Sequence, residues 1–167
     1  MSRLTYPEVG ATLRGPLPYG YRVLRYRTPI GTGCFERAAE AVLTWRLHRV
    51  AGVRVTASAE RAAPGVTVTC ALGAGPLRIL APCEVVWTVE EERRAGFGYG
   101  TLPGHPARGE ECFEVVQDES GRVEFAVTAF SLPARWQMRA AGPVAPLLQR
   151  AYAWRLGRTL RRLCRSG

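Results

Sequence analysis

Residues 66–90, VTVTCALGAGPLRILAPCEVVWTVE, decide the fold because apolar and polar side chains alternate in two runs that a turn separates. The runs are centred on Val68 and on Trp87, and the glycine-rich segment 73–76 lies between them. A period of two residues is typical of a strand with one buried face. Because no helical pattern separates the runs, a parallel crossover cannot join them, and we expect an antiparallel pair.

The same alternation continues on both sides of this stretch. Further runs cover residues 53–59, 97–101 and 123–129, and an earlier apolar run covers residues 21–28. Turn signals follow at residues 63–65, 92–96 and 118–121. The pattern therefore predicts an antiparallel sheet of about seven strands, with one face buried and one largely wet.

Helical periodicity occurs in two places. Apolar residues recur at spacings of three and four from Cys34 to Val50. The chain then ends with a second apolar stripe, formed by Leu148, Tyr152, Leu156, Leu160 and Leu163. The opposite arc of this last helix holds Arg150, Arg155, Arg158, Arg161, Arg162 and Arg165, which we expect to stay exposed. A capping box at Thr5–Glu8, ended by Gly10, predicts a further short helix.

Length and composition limit the class of protein. The chain has 167 residues, 47% of them hydrophobic and 22% charged, which suits one globular domain with one core. No apolar run approaches the ~20 residues that cross a bilayer, and the N-terminus lacks the apolar core of a secretory signal. We therefore expect a single domain over residues 1–167, no membrane span and a cytoplasmic location.

The charge is strongly positive, at +9, and all 23 basic residues are arginine. Basic clusters are a sign of phosphate binding, but these arginines are spread from Arg3 to Arg165. The lack of lysine beside abundant Ala, Gly and Pro indicates codon bias from a GC-rich genome. We expect no specific nucleic-acid binding, and we identify no protein partner.

The five cysteines are far apart, and no C-x-x-C pair occurs among Cys34, Cys70, Cys83, Cys112 and Cys164. The odd count and the scattered spacing argue against a disulfide framework and against a structural zinc site. Cys70 and Cys112 lie in apolar strand patterns, where a free cysteine behaves as a small hydrophobic residue. We expect core cysteines, no metal and no cofactor.

The element order resembles the helix-grip fold of START-like and pollen-allergen-like proteins, an α+β fold. It runs strand, helix, antiparallel meander and long C-terminal helix. The resemblance implies a curved sheet wrapped around the last helix, with a cavity between them that suits apolar ligands. Candidates to line it are Trp87, Phe97, Tyr99, Phe125, Val127 and Tyr152. The alternative is that these side chains simply fill the core.

One segment, GYGTLPGHPARGEECF at residues 98–113, differs from ordinary strand-and-turn sequence. It places one of two histidines on a loop stiffened by glycine and proline, with an arginine and two glutamates close behind. We expect this segment at the mouth of the cavity, with ligand contacts from Thr101, His105, Arg108, Glu110 and Glu111. The alternative is a structural loop in which Arg108 pairs with Glu110 or Glu111.

Several short motifs resemble an uncharacterised family of bacteria and plants, named domain of unknown function nineteen-ninety. They are LTYPEVG at 4–10, WRLHR at 45–49, GYGTLPGHP at 98–106, GEE at 109–111, and FS at 130–131 with Trp136. The resemblance spans almost the whole chain and implies a stand-alone cytosolic protein. It implies no activity, because none is assigned to the family.

Three functions remain open at this point. The first is a binding module that holds a small apolar or amphipathic molecule between the sheet and the last helix. The second is an enzyme in which His105, with Glu110 or Glu111, carries out acid–base chemistry on a bound ligand. The third is an interaction protein whose arginine-rich last helix meets an acidic protein, a nucleic acid or a lipid surface.

Overall fold

Seven antiparallel strands form one sheet. They are β1 (Arg22–Thr32), β2 (Arg54–Ala57), β3 (Thr67–Leu72), β4 (Ile79–Glu90), β5 (Arg94–Thr101), β6 (Ala107–Gln117) and β7 (Arg122–Pro133). Their order across the sheet is β1-β7-β6-β5-β4-β3-β2. This computed structural model describes residues 3–166, apart from the side chains of residues 137 and 138.

Five α-helices accompany the sheet in this part of the chain. They are α1 (Ala11–Arg14), α2 (Phe35–Leu43), α3 (Arg46–Val50), α4 (Trp136–Ala140) and α5 (Val144–Arg165). Helix α2 packs on β5 and β6, α3 packs on β2, and α5 packs on β1, β7 and the two earlier helices. The α+β helix-grip fold is thereby confirmed. Within residues 3–166, no helix is long and apolar enough to span a bilayer.

The predicted helix from Cys34 to Val50 is broken into two. Trp45 adopts a left-handed backbone conformation, with φ of 64°, between α2 and α3. This break turns its indole inward, where Nε1 donates a 3.0 Å hydrogen bond to the carbonyl of Ala59 and the ring meets Phe97 edge-on at 5.0 Å. Apolar spacing could not reveal the break, because it is the same on both sides.

The expected short helix at Thr5–Glu8 is wrong, since the only helix near the N-terminus of the described chain is α1, which begins after Gly10. Residues 5–12 instead lie against the convex face of the sheet. A side chain at Gly98 would collide with Trp87, and one at Gly100 would collide with the ring of Tyr6. These two glycines therefore let neighbouring aromatic rings approach the backbone closely.

Residues 98–101 lie in a strand, as their alternation predicts, whereas residues 107–111, expected to continue the loop around His105, form a second strand paired with the first. Tyr99 pairs with Glu111 and Gly100 with Glu110, so that only residues 102–106 connect β5 to β6. The predicted turn at 92–96 is correspondingly shorter, because β5 begins at Arg94. Gly98 and Gly100 lie within this strand and are sites of close contact with neighbouring rings.

Helix α5 buries only part of its predicted apolar stripe. Leu156 and Leu160 are fully buried, whereas Leu148 is 65% exposed because the first half of the helix stands over open space. The expectation of an exposed Arg161 is also wrong. Its guanidinium is half-buried and donates hydrogen bonds to the carbonyl of Pro29 and the hydroxyl of Thr28.

A disulfide joins Cys34 at the start of α2 to Cys164 in the last turn of α5. This corrects the prediction from cysteine spacing, which could not detect a pair separated by 130 residues. The other three cysteines are free and buried, as expected of core residues. The bond fixes the end of α5 to the start of α2.

Candidate functional site: an apolar cavity beneath the last helix

Large rings fill one end of the concave sheet face. Phe97 of β5, Phe113 of β6 and Phe125 of β7 are all fully buried there. The ring of His48 on α3 meets Phe113 edge-on at 4.8 Å, and Phe97 lies 5.5 Å from Phe113. This end of the sheet is therefore a packed core with no room for a ligand.

Small residues leave the other end of the same face open. Cys70 pairs with Ala81 across β3 and β4, and Ala129 of β7 lies opposite Glu111 of β6. The first half of α5 covers this end, and the space between helix and sheet is about 450 Å³. Volumes of this size are typical of small-molecule sites. The expected cavity between sheet and last helix is present, and it occupies one half of the concave face.

Five of the ten predicted site residues have side chains around this cavity: Tyr99, Thr101, His105, Glu111 and Tyr152. Glu110 borders it, but its carboxylate is engaged on the convex side. Four others lie elsewhere. Of these four, Phe97 and Phe125 belong to the packed core, and Arg108 is an exposed residue away from the cavity lining. Val127, which was a further candidate to line the cavity, also belongs to the core.

Trp87, the fourth, lies on the convex face because of a β-bulge. Val85 pairs with Tyr99, but Trp87 pairs with Gly98, so one extra residue stands between them on β4. A bulge of this kind reverses the face that the following side chains occupy. The indole of Trp87 then donates a 2.9 Å hydrogen bond to the hydroxyl of Thr12. The alternation read from Val85 to Val89 could not show this shift.

Glu110 anchors the N-terminal segment to the convex face. One carboxylate oxygen accepts hydrogen bonds from the hydroxyl of Tyr6 at 2.6 Å and from the backbone N–H of Gly10 at 2.7 Å. The other accepts from the backbone N–H of Thr12 at 3.0 Å and from its hydroxyl. The residue is only 2% exposed. Glu110 is therefore a structural clasp, and its carboxylate is not available to a ligand.

Glu111 points the opposite way, toward the cavity. The hydroxyl of Tyr99 donates to its Oε2 at 3.2 Å, whereas its Oε1 is buried without a hydrogen-bond partner. Burial raises the pKa of Glu111 to about 7, against the smaller lowering effect of the Tyr99 hydrogen bond. A buried acceptor without a partner is costly, so Oε1 would gain from a hydrogen-bond donor placed in the cavity.

Three other polar side chains of the cavity, those of Tyr99, Tyr152 and Cys70, are neutral at physiological pH. Burial raises the pKa of Tyr99 and of Tyr152 well above the usual value, and it raises that of Cys70 to about 12. Thr101 is engaged with the hydroxyl of Thr5 at 2.6 Å and accepts from the N–H of Gly109. Glu111 is thus the cavity carboxyl whose charge can change near neutral pH.

His105 lies in the connection between β5 and β6 and lines the cavity. The backbone N–H of Ala107 donates to its Nδ1 at 2.9 Å, which leaves Nε2 to carry the proton of the neutral ring. Burial lowers the pKa of His105 to about 4, while a hydrogen bond with Ala107 acts in the other direction. The imidazole is therefore a neutral side chain, partly held by its own loop.

Several lining residues were missed from the sequence. They are small or lie on α5, and they include Cys70, Ala81, Ala129, Ala145 and Leu148. The available signal was the absence of large side chains at one end of neighbouring strands, which becomes visible only when the register is known. Among the residues described, no group of three or more His, Cys, Asp or Glu side chains could hold a metal ion.

The curved sheet, the covering helix and the apolar cavity define a helix-grip protein with room for a ligand. A family described as "Domain of unknown function (DUF1990)" matches residues 5–159, and the chain belongs to this family. The resemblance found in the sequence motifs is thereby confirmed.

Relatives and neighbours support the family and the fold. A UPF0548 protein of Deinococcus radiodurans is 36% identical, over 93% of this chain and 85% of that protein. A UPF0548 protein of Arabidopsis thaliana is 27% identical, over 80% of this chain and 69% of that protein. Norcoclaurine synthase of Thalictrum flavum superposes with a TM-score of 0.61 at 10% identity, over 89% of this chain and 97% of that one. This last likeness shows the fold alone.

Proposed function

We propose that this chain, acting as one helix-grip domain, binds a small apolar or amphipathic molecule in the cavity beneath α5. The observation that carries the proposal is the cavity itself, about 450 Å³ in volume and set within an otherwise well-packed sheet face. Protein interiors are normally close-packed, so a space of this size is a specific feature of the fold. Its one unpartnered carboxyl oxygen, on Glu111, suits a ligand with a polar end.

A solved neighbour with the same fold supports the proposal indirectly. The norcoclaurine synthase structures include one with a transition-state analogue and one with dopamine and hydroxybenzaldehyde. Those molecules belong to that enzyme. The two structures illustrate that a helix-grip scaffold can hold small aromatic molecules.

Filling the cavity tests the proposal. Naphthylethanol, a neutral molecule with an apolar body, is expected to bind the wild-type chain in a calorimetric titration. Replacing Ala145, which lines the cavity from α5, by Trp is expected to weaken this binding by at least about tenfold, because the indole occupies the same space. The matched control is Ala151→Trp, at an exposed position on the same helix. Equal binding by both variants would show that naphthylethanol binds elsewhere.

We also propose that His105 contacts the ligand, since it lines the cavity. Replacing it by Ala is expected to weaken naphthylethanol binding. It should also lower the free energy of unfolding by about 1 kcal/mol, because the N–H of Ala107 loses its acceptor. Arg108→Ala, at an exposed neighbour, is the control and should change neither. If the His105 variant lost stability but bound normally, the residue would serve only its loop.

A cytoplasmic location remains a proposal from the N-terminal sequence. The Cys34–Cys164 disulfide bears on it, because disulfides are uncommon in the reducing cytosol. Trapping thiols with an alkylating reagent in intact cells, before lysis, measures how much of the protein carries this bond. A fully reduced pair would agree with a cytosolic location, and a fully oxidised pair would argue against it.

A further inference from the structure

Glu111 is a half-buried residue whose carboxyl lacks a counter-charge. It stands on the concave face between Tyr99 of β5 and Ala129 of β7, and its Oε1 has no partner. Burial raises the pKa of Glu111 and the hydrogen bond from the Tyr99 hydroxyl lowers it, whereas no arginine contributes to the shift. In a chain with a net charge of +9, a cavity carboxyl without a basic neighbour is a distinctive arrangement.

We propose that the ligand carries a basic nitrogen, which binds in its protonated form against Oε1 of Glu111. This inference rests on the proposed function and names the chemical class of the molecule bound. An alkylammonium or arylalkylammonium group would supply both the missing hydrogen-bond donor and the missing positive charge. Hydrogen bonds between charged groups are about twice as strong as those between neutral groups.

The aromatic rings of the cavity favour the same ligand. Tyr99 and Tyr152 both line the space, and the faces of aromatic rings attract cations. The remaining lining near Glu111 is small and apolar, with Ala129 opposite it on β7. An ammonium group bound here would thus meet a carboxylate and two tyrosine rings, and the apolar part of the molecule would occupy the rest of the cavity.

The other ionisable groups around Glu111 do not compete for this role. Tyr99 on β5, Cys70 on β3, Cys83 on β4 and Tyr152 on α5 have raised pKa values and stay neutral at physiological pH. His105 in the β5–β6 connection has a pKa lowered to about 4 and is neutral as well. Arg22 on β1 also borders the cavity, but it is exposed. A ligand with an anionic end would have to bind at Arg22 instead.

Three matched probes test the inference: naphthylethylamine, naphthylethanol and naphthylacetate, which share one apolar body and differ in the polar end. At about pH 8 the wild-type chain is expected to bind the amine at least about tenfold more tightly than the alcohol. This preference should fall by more than about tenfold between about pH 8 and about pH 5.5, because Glu111 becomes protonated while the amine stays charged. In Glu111→Gln the ratio of amine to alcohol affinity should approach one.

The possible results distinguish a failure of the proposed ligand-binding function from a failure of the inference about the basic nitrogen. If no probe binds in the cavity, the proposed function fails. If the alcohol and the amine bind equally well at both pH values, the ligand-binding function is supported and the inference that the ligand carries a basic nitrogen is wrong. If naphthylacetate binds more tightly than the other two, the polar end of the ligand is an anion and the inference is overturned. The pH comparison uses the wild-type chain and so does not depend on any variant folding.

Discussion

Replacing Glu110 by Gln is expected to lower the free energy of unfolding by roughly 3–5 kcal/mol. Each carboxylate oxygen accepts one backbone N–H, from Gly10 or from Thr12, as well as one hydroxyl. Whichever way a glutamine amide is turned, its NH₂ group must therefore face a backbone donor. The variant loses charged hydrogen bonds and also buries donors without acceptors, and the N-terminal segment should detach from the convex face.

Replacing the next residue, Glu111, by Gln is expected to raise the free energy of unfolding near neutral pH. The pKa of Glu111 is raised by burial from 4.5 to about 7. Between these values the folded chain binds more protons than the unfolded chain, so its stability falls as the pH rises from about 4.5 to about 7. Glutamine does not ionise. Glu111→Gln should therefore be close to the wild type at about pH 4 and more stable by roughly 3 kcal/mol at about pH 8.

Denaturation of the wild type and both variants across this pH range measures the difference. His48 and His105 have pKa values lowered to about 4, and they add stability as the pH rises from about 4 toward 6.5. Their contribution is common to the wild type and the Glu111 variant and cancels in the comparison. Destabilisation by Glu111→Gln at about pH 8, equal to that of Glu110→Gln, would mean that both carboxylates are structural.

Loss of the disulfide is the second large effect expected. Replacing Cys164 by Ser should lower the free energy of unfolding by roughly 2–5 kcal/mol, because the bond closes a loop of 130 residues in the unfolded chain. It also holds the end of α5, where Arg37 donates to the carbonyl of Cys164 at 2.8 Å. Denaturant titrations with and without a reducing agent give the measurement.

The reducing agent supplies the control for this experiment. It should destabilise the wild type by about as much as the substitution does and leave the Cys164→Ser variant unchanged. Cys112→Ser serves as a second control, since Cys112 is a free buried thiol and its replacement leaves the response to reduction intact. If reduction did not change the stability of the wild type, the bond would be absent in solution.

The sheet and the last helix could be predicted from the sequence because their periods are visible in it. Alternation in residues 66–72 and 123–129 and the spacing of Leu156 and Leu160 each report a buried face directly. The break at Trp45 could not be predicted, since it changes the backbone and not the apolar spacing. The same holds for the bulge on β4, which moves Trp87 to the convex face.

The candidate site was predictable only in part. Tyr99 and Tyr152 line the cavity, as strand alternation and the helix stripe predict, and His105 lines it from the loop that was expected at its mouth. Glu110 and Glu111 are adjacent in a segment that was expected to be a loop, where their opposite directions are not defined. Their separate roles follow from the pairing of β5 with β6, which alternation alone did not reveal in this glycine-rich stretch.

The location of a bound molecule tests the central claim most directly. A crystal structure of the chain grown with naphthylethanol is expected to show the molecule between α5 and the concave face. Its rings should lie against Tyr99 and Tyr152 and its hydroxyl should point toward Glu111. A cavity filled by side chains, or density for naphthylethanol only on the outer surface, would contradict a ligand-binding role for this space.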